Sequence, residues 1–445
     1  MARSNRFSEL RRYPSAIAGA IIILVLIITA LTTLIVLPYE RAIDLWRGGE
    51  GVWLDNPRNA RPAWFNVLPW VNLPGTIIVD SRSGEISKTV RPGEDVSEFA
   101  MNLTFDYRAD AFPQELTITL FGTFDELSPY ATLTWHTPDG RMIVLGDRPA
   151  GTQEVVRLSQ DARLIRRLSN TPAEIGLFSD YTVDTGTVVK GRYRLEVEGF
   201  LFEPESDIDV KLVAYGQVHG IAGTDHRRRD ISIALLWGTP IALTFGLVAA
   251  VGVGITTMIV AAIGAWFGKW VDALIQRITE VNLILPLLPL LVMVGTFYSR
   301  SIWNMLGVVI LLSIFSGAIK TYRAMFLQVR ESPYIEAARA YGASGFRVVF
   351  RYMIPRILPV LIPSFVTAIP SYVFLEASLA ALGLGDPVLP TWGKLLDDAR
   401  INGALYNGHY YWMIQPAVLL MLTGLGFAML GFALDRIFNP RLREI

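Results

Sequence analysis

The sequence has no cysteine and little charge, since only 18% of its 445 residues are Asp, Glu, Lys or Arg. The lack of cysteine excludes disulfides, thiolate catalysis and cysteine-ligated metal. No Gly-x-x-x-x-Gly-Lys-Ser/Thr motif occurs, so the chain cannot cradle ATP phosphates in that way. Its four histidines are scattered and are not spaced as a metal site. Basic and acidic residues number 40 each, which gives no global sign of a nucleic-acid partner.

Apolar residues dominate instead, at 52% of the chain with a mean hydropathy of +0.39. This composition is typical of a membrane protein. Residues 16–37 form an uncharged run about one bilayer long. The run follows Arg3, Arg6, Arg11 and Arg12. We therefore predict a cytoplasmic N-terminus over 1–15 and a first transmembrane helix over 16–37. A cleaved signal peptide is the alternative, but the run is too long and lacks a small-residue cleavage site after it.

Five more apolar runs follow after residue 230, and we predict six spans in all. The runs are 240–267, 281–298, 305–322, 357–384 and 411–434. Alternation from an inside N-terminus puts 299–304 and 385–410 outside, and 268–280, 323–356 and the C-terminal tail inside. The basic residues agree with this topology by the positive-inside rule. Those that flank or fill the inside segments are Lys320, Arg323, Arg330, Arg339, Arg347, Arg351, Arg356, Arg436, Arg441 and Arg443.

The stretch 40–220 has no spanning segment. It opens with several prolines and with Trp46, Trp53, Trp64 and Trp70, which indicate an irregular collar near the membrane surface, where indole rings are favoured. Apolar and polar residues then alternate in 101–105, 115–120, 131–135, 192–197 and 209–212, as in half-buried strands. A Thr-Pro-Asp-Gly turn at 137–140 predicts a hairpin between 131–135 and 142–145. We predict an extracytoplasmic β-sandwich-like domain, inserted between the first and second transmembrane helices.

The inside loop 323–356 predicts two short amphipathic helices. Ser332-Pro333 is a helix-start signal, and Tyr334, Ala337, Ala338 and Tyr341 then share one face at spacings of three and four. Gly342 ends this helix. A second helix begins at Ser344 and carries Phe346, Val349 and Phe350 beside Arg347 and Arg351, before Pro355 opens the next span. The apolar face fits either a groove in a soluble partner or the lipid headgroups.

Residues 336–355 carry the order Glu-Ala-Ala, three residues, Gly, and then Pro after twelve more. This order resembles the cytoplasmic loop of binding-protein-dependent ABC importer permeases, the loop that docks on the ATPase subunit. Other segments resemble the dipeptide, oligopeptide and nickel branch of that family. The matching positions are Gly223, Thr224, Asp225, Arg229 and Asp230 before the second span, 264–268 with Asp272 at its end, 376–385, 390–393 and the tail 431–442.

The chain departs from the family pattern at several points. Arg228 and Lys269 stand where the family has glycine, and Pro240 stands where an Ala-Arg pair is usual. The 40–220 insert far exceeds the short loop of typical members. These departures bear on the substrate class and on outer docking, and they leave the 336–355 segment untouched.

The resemblance implies an all-α, six-helix permease core like that of type I ABC importers. The core would consist of residues 221–445 together with the first helix, and it would move peptides or a related small solute by alternating access. It implies no enzyme activity and no cofactor in this chain, with ATP and Mg bound by partner ATPase subunits. The other implied partners are a second homologous permease, an external solute-binding protein and membrane lipid, with no nucleic acid. Glu336 would brace the coupling helix, Gly342 would allow its turn, and the ATPase groove would receive Tyr334, Ala337, Ala338, Tyr341 and Phe346.

Three further residues are candidates for the translocation path: Glu376, Ser378 and Pro286. An intramembrane carboxylate such as Glu376 is costly and so is a functional candidate, although it can instead hydrogen-bond a neighbouring helix. Pro286 would kink a pore-lining helix or simply pack. The 223–230 motif would form an outer gate or binding-protein contact, or else a turn capped by aspartate beside a surface arginine pair.

Two other functional classes remain open. A membrane-anchored ligand sensor would use the β domain for ligand, but it would not need five spans after that domain. A secondary transporter would need coupling-ion sites and usually internal repeats, and the sequence shows neither convincing repeats nor a cluster of buried carboxylates.

Overall fold

The computed structural model describes residues 14–84, 86–94, 96–180 and 184–438. The predictions that rest on Arg3, Arg6, Arg11 and Arg12, and on 439–443, lie outside these residues. The chain divides into two compact units. One is the β-rich unit, Gly48–Ser232, and the other is the helical unit, formed by the described residues before and after it.

The helices run in chain order as follows. They are α1 (Pro14–Val36), α2 (Tyr39–Arg47), α3 (Gly49–Val52), α4 (Ala162–Arg167), α5 (Ala173–Gly176), α6 (Ile231–Phe267), α7 (Lys269–Ile284), α8 (Leu287–Phe297), α9 (Ile302–Ser313), α10 (Ala318–Arg330), α11 (Pro333–Ala340), α12 (Gly345–Val348), α13 (Ile354–Leu379), α14 (Trp392–Ile401) and α15 (Tyr411–Phe438). Two π-helical segments, Val349–Met353 and Ala380–Leu384, flank α13.

Four helices within the described ranges are long and apolar enough to cross a membrane: Pro14–Val36, Ile231–Phe267, Gly345–Leu384 and Tyr411–Ile437. Two bent pairs, α7 with α8 and α9 with α10, meet the same test when each pair is counted as one span. The described part of the chain therefore has four helices that could cross a membrane, or six candidate spans if each bent pair counts as one.

The apolar run 281–298 is not one helix, which corrects the prediction. It is broken between α7 and α8, whose axes differ by 81°. Leu285 has an extended backbone (ψ 126°) and Pro286 is the N-cap of α8. Proline disfavours helical backbone at the residue before it and supplies no N–H, so the break falls where the sequence has Leu285-Pro286.

Two segments predicted as loops contain helices. Segment 268–280 lies almost wholly within α7, and 385–410 contains α14. Both helices have a buried side: Ile275 and Thr279 in α7, and Leu395 and Ala399 in α14. Their charged residues hid them from a search for apolar runs.

The described residues of the β-rich unit form eleven strands. They are β1 (Ile77–Asp80), β2 (Lys88–Arg91), β3 (Ser97–Tyr107), β4 (Glu115–Thr123), β5 (Tyr130–His136), β6 (Met142–Pro149), β7 (Glu154–Arg157), β8 (Ser179–Asp180), β9 (Asp184–Val188), β10 (Gly191–Leu201) and β11 (Asp207–Tyr215). One antiparallel sheet has the order β1-β11-β4-β7 and another the order β2-β3-β10-β5-β6, and β8 pairs with β9. The five predicted strands and the predicted hairpin are confirmed.

Alternating side chains of both large sheets meet in one hydrophobic cluster. In β3 the buried positions are the odd-numbered ones from Phe99 to Tyr107, as period-two alternation requires. Leu195 at the centre of β10 is paired with Leu103 on one side and Trp135 on the other. Two buried tyrosines, Tyr107 and Tyr193, belong to this cluster. Each donates a hydrogen bond at 2.6 Å to the backbone carbonyl of the residue four positions away. Burial raises the pKa of both phenols well above the usual tyrosine value.

The predicted tryptophan collar holds only in part. Trp46 is buried in the helical unit, with 4% of its surface exposed, and Trp53 is half-buried. Trp64 and Trp70 are 52% and 78% exposed. Only these last two present their rings to the surroundings.

Candidate functional site

Helix α11 begins at the predicted position. Ser332 is extended (φ −78°, ψ 142°) and Pro333 is the first helical residue. Proline suits this position because its φ is preset and its missing N–H would have had no partner in the helix. Glu336 lies in the first turn, where a carboxylate interacts favourably with the helix dipole. Its side chain is exposed and, among the described residues, has no hydrogen-bond or ion-pair partner.

Gly342 ends α11 with a left-handed backbone, at φ +76°. Its amide donates to the carbonyl of Arg339 at 2.9 Å, and the amide of Ala343 donates to that of Ala338 at 3.0 Å. These are the two bonds of a Schellman motif, which satisfies the last carbonyls of a helix. The predicted turn at Gly342 is present, and backbone bonds fix its shape.

Large side chains stand exposed on both sides of this turn. Tyr341 is 93% exposed and Phe346 is 61% exposed. We define the aromatic loop surface as the exposed side chains Tyr334, Ala337, Tyr341, Phe346 and Arg347. Ala338 was predicted to share this surface, but it is only 8% exposed and lines a depression of about 310 Å³ beside it.

Buried residues on the inner side hold the surface in place. Ile335 in α11 and Val348 in α12 are both 0% exposed, and they share one hydrophobic cluster with residues of α6, α10 and α13. A helix of eight residues is not stable by itself in water. The position of α11 therefore depends on this burial.

The C-terminal end of α6 contacts the same segment. A Cβ on Gly345 would lie 2.7 Å from Trp266 Nε1, so only glycine allows this approach. The rings of Phe267 and Phe346 have centroids 5.3 Å apart. The guanidinium of Arg339 lies 5.7 Å from the Trp266 ring centroid, which is within cation–π range.

Charged contacts fix the helix that leads into the loop. Arg323 in α10 donates two hydrogen bonds to Asp272 in α7, the first from Nε to Oδ1 at 2.6 Å. Paired bonds of this kind are among the stronger and more directional ion pairs. Arg330 donates to the carbonyl of Ala265 in α6 at 2.8 Å. Helices α6, α7 and α10 thus hold the loop as one packed body.

The second short helix extends further than predicted, which is a correction. The helix does not end before Pro355 but continues from Gly345 through α13, and its backbone is non-helical only near its end, at Gly383 (φ +83°). The π-helical segment Val349–Met353 precedes Pro355, which lies in the first turn of α13. A π-turn shifts the pairing of amides and carbonyls, so a proline without an N–H can be accommodated there. The loop is consequently continuous with a spanning helix.

The residues of the 223–230 motif lie together in a mostly buried turn of the β-rich unit. Thr224 and Asp225 are 0% exposed. The Asp225 carboxylate accepts from Arg229 Nε at 2.6 Å and from the Arg229 amide at 2.9 Å. Asp230 accepts from the amide of Ser232 at 2.8 Å, in the first turn of α6. Gly223, at φ +80°, accepts from the Ile231 amide at 3.0 Å.

The predicted surface arginine pair is wrong, since Arg228 and Arg229 are only 5% and 3% exposed. Arg228 donates to the Asn56 carbonyl at 2.7 Å and to the Glu115 carboxylate at 2.6 Å. Its guanidinium also lies 4.2 Å from the centroid of the Tyr215 ring. These contacts join the motif to β4 and β11.

Both residues that replace a family glycine have left-handed backbones. Arg228 has φ +65° and Lys269 has φ +47°. Such a φ costs a residue with a Cβ roughly 1–2 kcal/mol. At Arg228 the three side-chain contacts offset this cost. The backbone shape that a glycine favours is thus present without the glycine.

The three path candidates are not brought together. Glu376 is 6% exposed and lies near Thr391, whose hydroxyl accepts from the Lys394 amide at 3.1 Å. Ser378 is exposed and donates to the Phe374 carbonyl of its own helix at 2.7 Å. Glu376 in α13 is therefore buried near the start of α14, while Ser378 faces away from the interior.

Comparison with known proteins decides the family. A family described as the binding-protein-dependent transport system inner membrane component matches residues 233–444. A putative peptide permease of Brucella suis is 31% identical over 223 residues, which cover 49% of this chain and 72% of that protein. The chain belongs to this family of inner membrane components. It is the transmembrane permease of an ABC importer, a multi-pass protein of the inner membrane whose family works with ATPase and binding-protein partners.

Two other relatives match to a similar extent. A dipeptide transport system permease protein of Alkalihalophilus pseudofirmus is 29% identical over 227 residues, covering 50% of this chain and 72% of the relative. A glutathione transport system permease protein of Pectobacterium atrosepticum is 31% identical over 224 residues, covering 50% and 73%. About half of this permease therefore lies outside each match.

Sequence reasoning missed several residues that support the aromatic loop surface. Trp266 and Asp272 were noted as motif positions, but their contacts with Gly345 and Arg323 were not foreseen. The only sequence signal was the motif itself, because each partner lies more than 50 positions further along the chain.

Proposed function

We propose that this permease moves peptides or a related small solute, delivered by an external solute-binding protein, across the cytoplasmic membrane by alternating access. The relatives include proteins named as dipeptide, peptide and glutathione permeases. ATP and Mg would be bound by one or two types of partner ATPase, and a second homologous permease would complete the pathway. The chain itself would hydrolyse nothing.

The aromatic loop surface carries the proposal. Tyr341 is 93% exposed, yet the Schellman turn beside it and the buried Ile335 hold it in a defined position. A tyrosine side chain that fills a pocket in a partner can contribute about 2 kcal/mol or more to binding. Because α12 continues into α13, a force on this surface would reach a spanning helix without an intervening flexible loop. Glu336 and Arg347 would supply polar contacts at the rim.

A six-span topology with both termini inside follows from this function. The four long helices provide four spans, and the bent pairs α7–α8 and α9–α10 would provide the other two. The aromatic loop surface then faces the cytoplasm and the β-rich unit lies outside, as a β-sandwich-like insert of about the predicted extent, 40–220. Residues 223–230 would brace the point where the chain enters the membrane rather than form a gate, because they are largely buried.

Co-purification from native membranes in mild detergent tests the coupling role. We expect the double variant Tyr341→Ala, Phe346→Ala to retain the sister permease and to lose the ATPase. The matched control is Tyr406→Ala, because Tyr406 is 98% exposed on the 385–410 segment that we assign to the other side. Retention of the ATPase by the double variant, or equal loss from the control, would sink the proposal.

The solute class is tested separately in proteoliposomes that hold the whole importer. Dipeptides or oligopeptides, added with the cognate binding protein, should stimulate ATP hydrolysis and enter the lumen. If peptides give no stimulation while nickel chelates or another solute does, the peptide assignment is wrong and the coupling assignment is unaffected.

The β-rich unit would cradle the binding protein or cap the pathway, with packing against the sister permease as the alternative. The unit can be deleted without a long linker, because the two ends of the segment to be removed lie close together. The amide of Gln217 donates to the Pro74 carbonyl at 2.8 Å. Removing 76–215 and joining Gly75 to Gly216 should abolish uptake and leave the subunits assembled. Normal uptake would contradict a direct role in transport.

A further inference from the structure

A set of large apolar side chains lies exposed in the β-rich unit, within one short segment and at the residue bonded to it. The exposed fractions are 52% for Trp64, 80% for Val67, 39% for Leu68, 78% for Trp70 and 82% for Ile221. We name these five residues the tryptophan patch. Single exposed apolar residues need no explanation, but a group that includes two tryptophans marks an interaction surface.

Hydrogen bonds hold the patch in one conformation. Asn66 donates to the Leu73 carbonyl at 2.8 Å and accepts from the Leu73 amide at 3.0 Å, which closes the segment into a loop. Trp64 Nε1 donates to the Ile221 carbonyl at 3.1 Å, and the Ala63 amide donates to Gly220 at 2.9 Å. The exposed rings are therefore preorganised and do not belong to a loose linker.

The patch is linked through the 221–223 segment to the first residue of α6. Ile221 is two residues from Gly223, whose carbonyl accepts from the amide of Ile231 at 3.0 Å. Ile231 is the first residue of α6, which is apolar along its length and long enough to span. The patch and the first turn of a spanning helix thus belong to one hydrogen-bonded assembly.

The charges around the patch suit a lipid surface. No acidic residue occurs between Asp55 and Asp80, whereas the same stretch contains Arg58 and Arg61. Arginine pairs with lipid phosphate, and indole rings favour the level of the headgroups. The patch itself contains no carboxylate, and the Asp110 carboxylate that accepts from Asn72 at 3.0 Å in the same loop is paired with Lys190. The exposed tryptophan and valine side chains of the patch fit acyl chains.

We propose that the tryptophan patch inserts into the headgroup region of the bilayer and anchors the β-rich unit to the membrane. The unit would then have two attachments to the membrane, one covalent through its flanking helices and one through lipid. This contact would limit how the unit moves during the transport cycle.

The absence of cysteine permits a direct test in the full-length permease. Val67→Cys carries an environment-sensitive fluorophore and leaves both tryptophans in place. Met142→Cys is the matched control, since Met142 is 69% exposed at the start of β6 in the same unit. The labelled proteins are placed in nanodiscs of phosphatidylethanolamine and phosphatidylglycerol, with nitroxide-labelled lipid or aqueous iodide as quencher.

We expect nitroxide lipid to quench the Val67 probe and iodide to quench it about threefold or more weakly than the Met142 probe, as for a group in the interface. Adding Trp64→Ser and Trp70→Ser should remove the lipid quenching of the Val67 probe and leave the Met142 probe unchanged. Equal iodide quenching at the two positions would overturn the proposal. Shielding that appears only after the external binding protein is added would assign the patch to that protein and would also overturn it.

Discussion

Ile335→Ala should loosen the aromatic loop surface without removing any of its exposed side chains. Ile335 is 0% exposed and lies in the cluster that anchors α11. Truncation of a buried isoleucine to alanine costs about 2–4 kcal/mol. Because eight residues do not form a stable helix alone, this cost should appear mainly as local opening of α11. The opening equilibrium would rise roughly 30- to 700-fold, at 1.4 kcal/mol per factor of ten.

Amide hydrogen exchange of the full-length permease in nanodiscs measures this opening. The amides to follow are those of Tyr341 and Ala343, which donate to the carbonyls of Ala337 and Ala338 at 3.0 Å each. Tyr341→Ala is the control, since this side chain is 93% exposed and its removal should leave exchange unchanged. Both variants should lose ATPase binding, for different reasons. Unchanged protection in Ile335→Ala would refute the anchoring argument.

Three other predictions concern packing and charge. Gly345→Ala should displace α12 from Trp266, at a cost of about 1–3 kcal/mol, and lower transport-coupled ATP hydrolysis, whereas Gly307→Ala, with open space around it, should not. Arg228→Ala should destabilise the β-rich unit by about 3 kcal/mol, because Glu115 loses its partner. Arg228→Gly should cost about 1 kcal/mol less, because glycine adopts the left-handed φ without strain. Thermal unfolding followed by circular dichroism measures both losses of stability, and equal losses would contradict the strain argument. The amides of Asp125, Leu127 and Glu126 hold the pKa of Glu203 below its ordinary value, so their bonds stabilise the loop above that value and are lost as the pH falls through the lowered pKa. The protection factors of these amides, which are corrected for the pH dependence of intrinsic exchange, should fall on acidification, and Glu203→Gln should abolish that fall.

Local signals in the sequence predicted the parts of the site that local chemistry determines. Ser332-Pro333 predicted the start of α11 and Gly342 predicted its end, because proline and glycine restrict the backbone at those positions directly. Period-two alternation likewise predicted the long strands, since one face of each is buried. The family resemblance then supplied the proposed role of the loop as the contact for the ATPase.

Long-range contacts could not be predicted in this way. The pairing of Arg323 with Asp272 depends on how α7 packs against α10, which residue spacing does not reveal. The same holds for the sheet orders and for the approach of Gly345 to Trp266. The continuous helix through Pro355 was missed because the π-helical segment that accommodates it has no sequence signature.

Cysteine crosslinking in the assembled importer tests the central claim most directly, because the chain has no native cysteine. Tyr341→Cys and Tyr406→Cys place single thiols at two positions that are 93% and 98% exposed. Treatment with a short thiol-to-amine crosslinker should join the ATPase to the permease from position 341 and not from position 406. No ATPase product from position 341, or an equal product from position 406, would contradict the claim that the aromatic loop surface is where the ATPase docks.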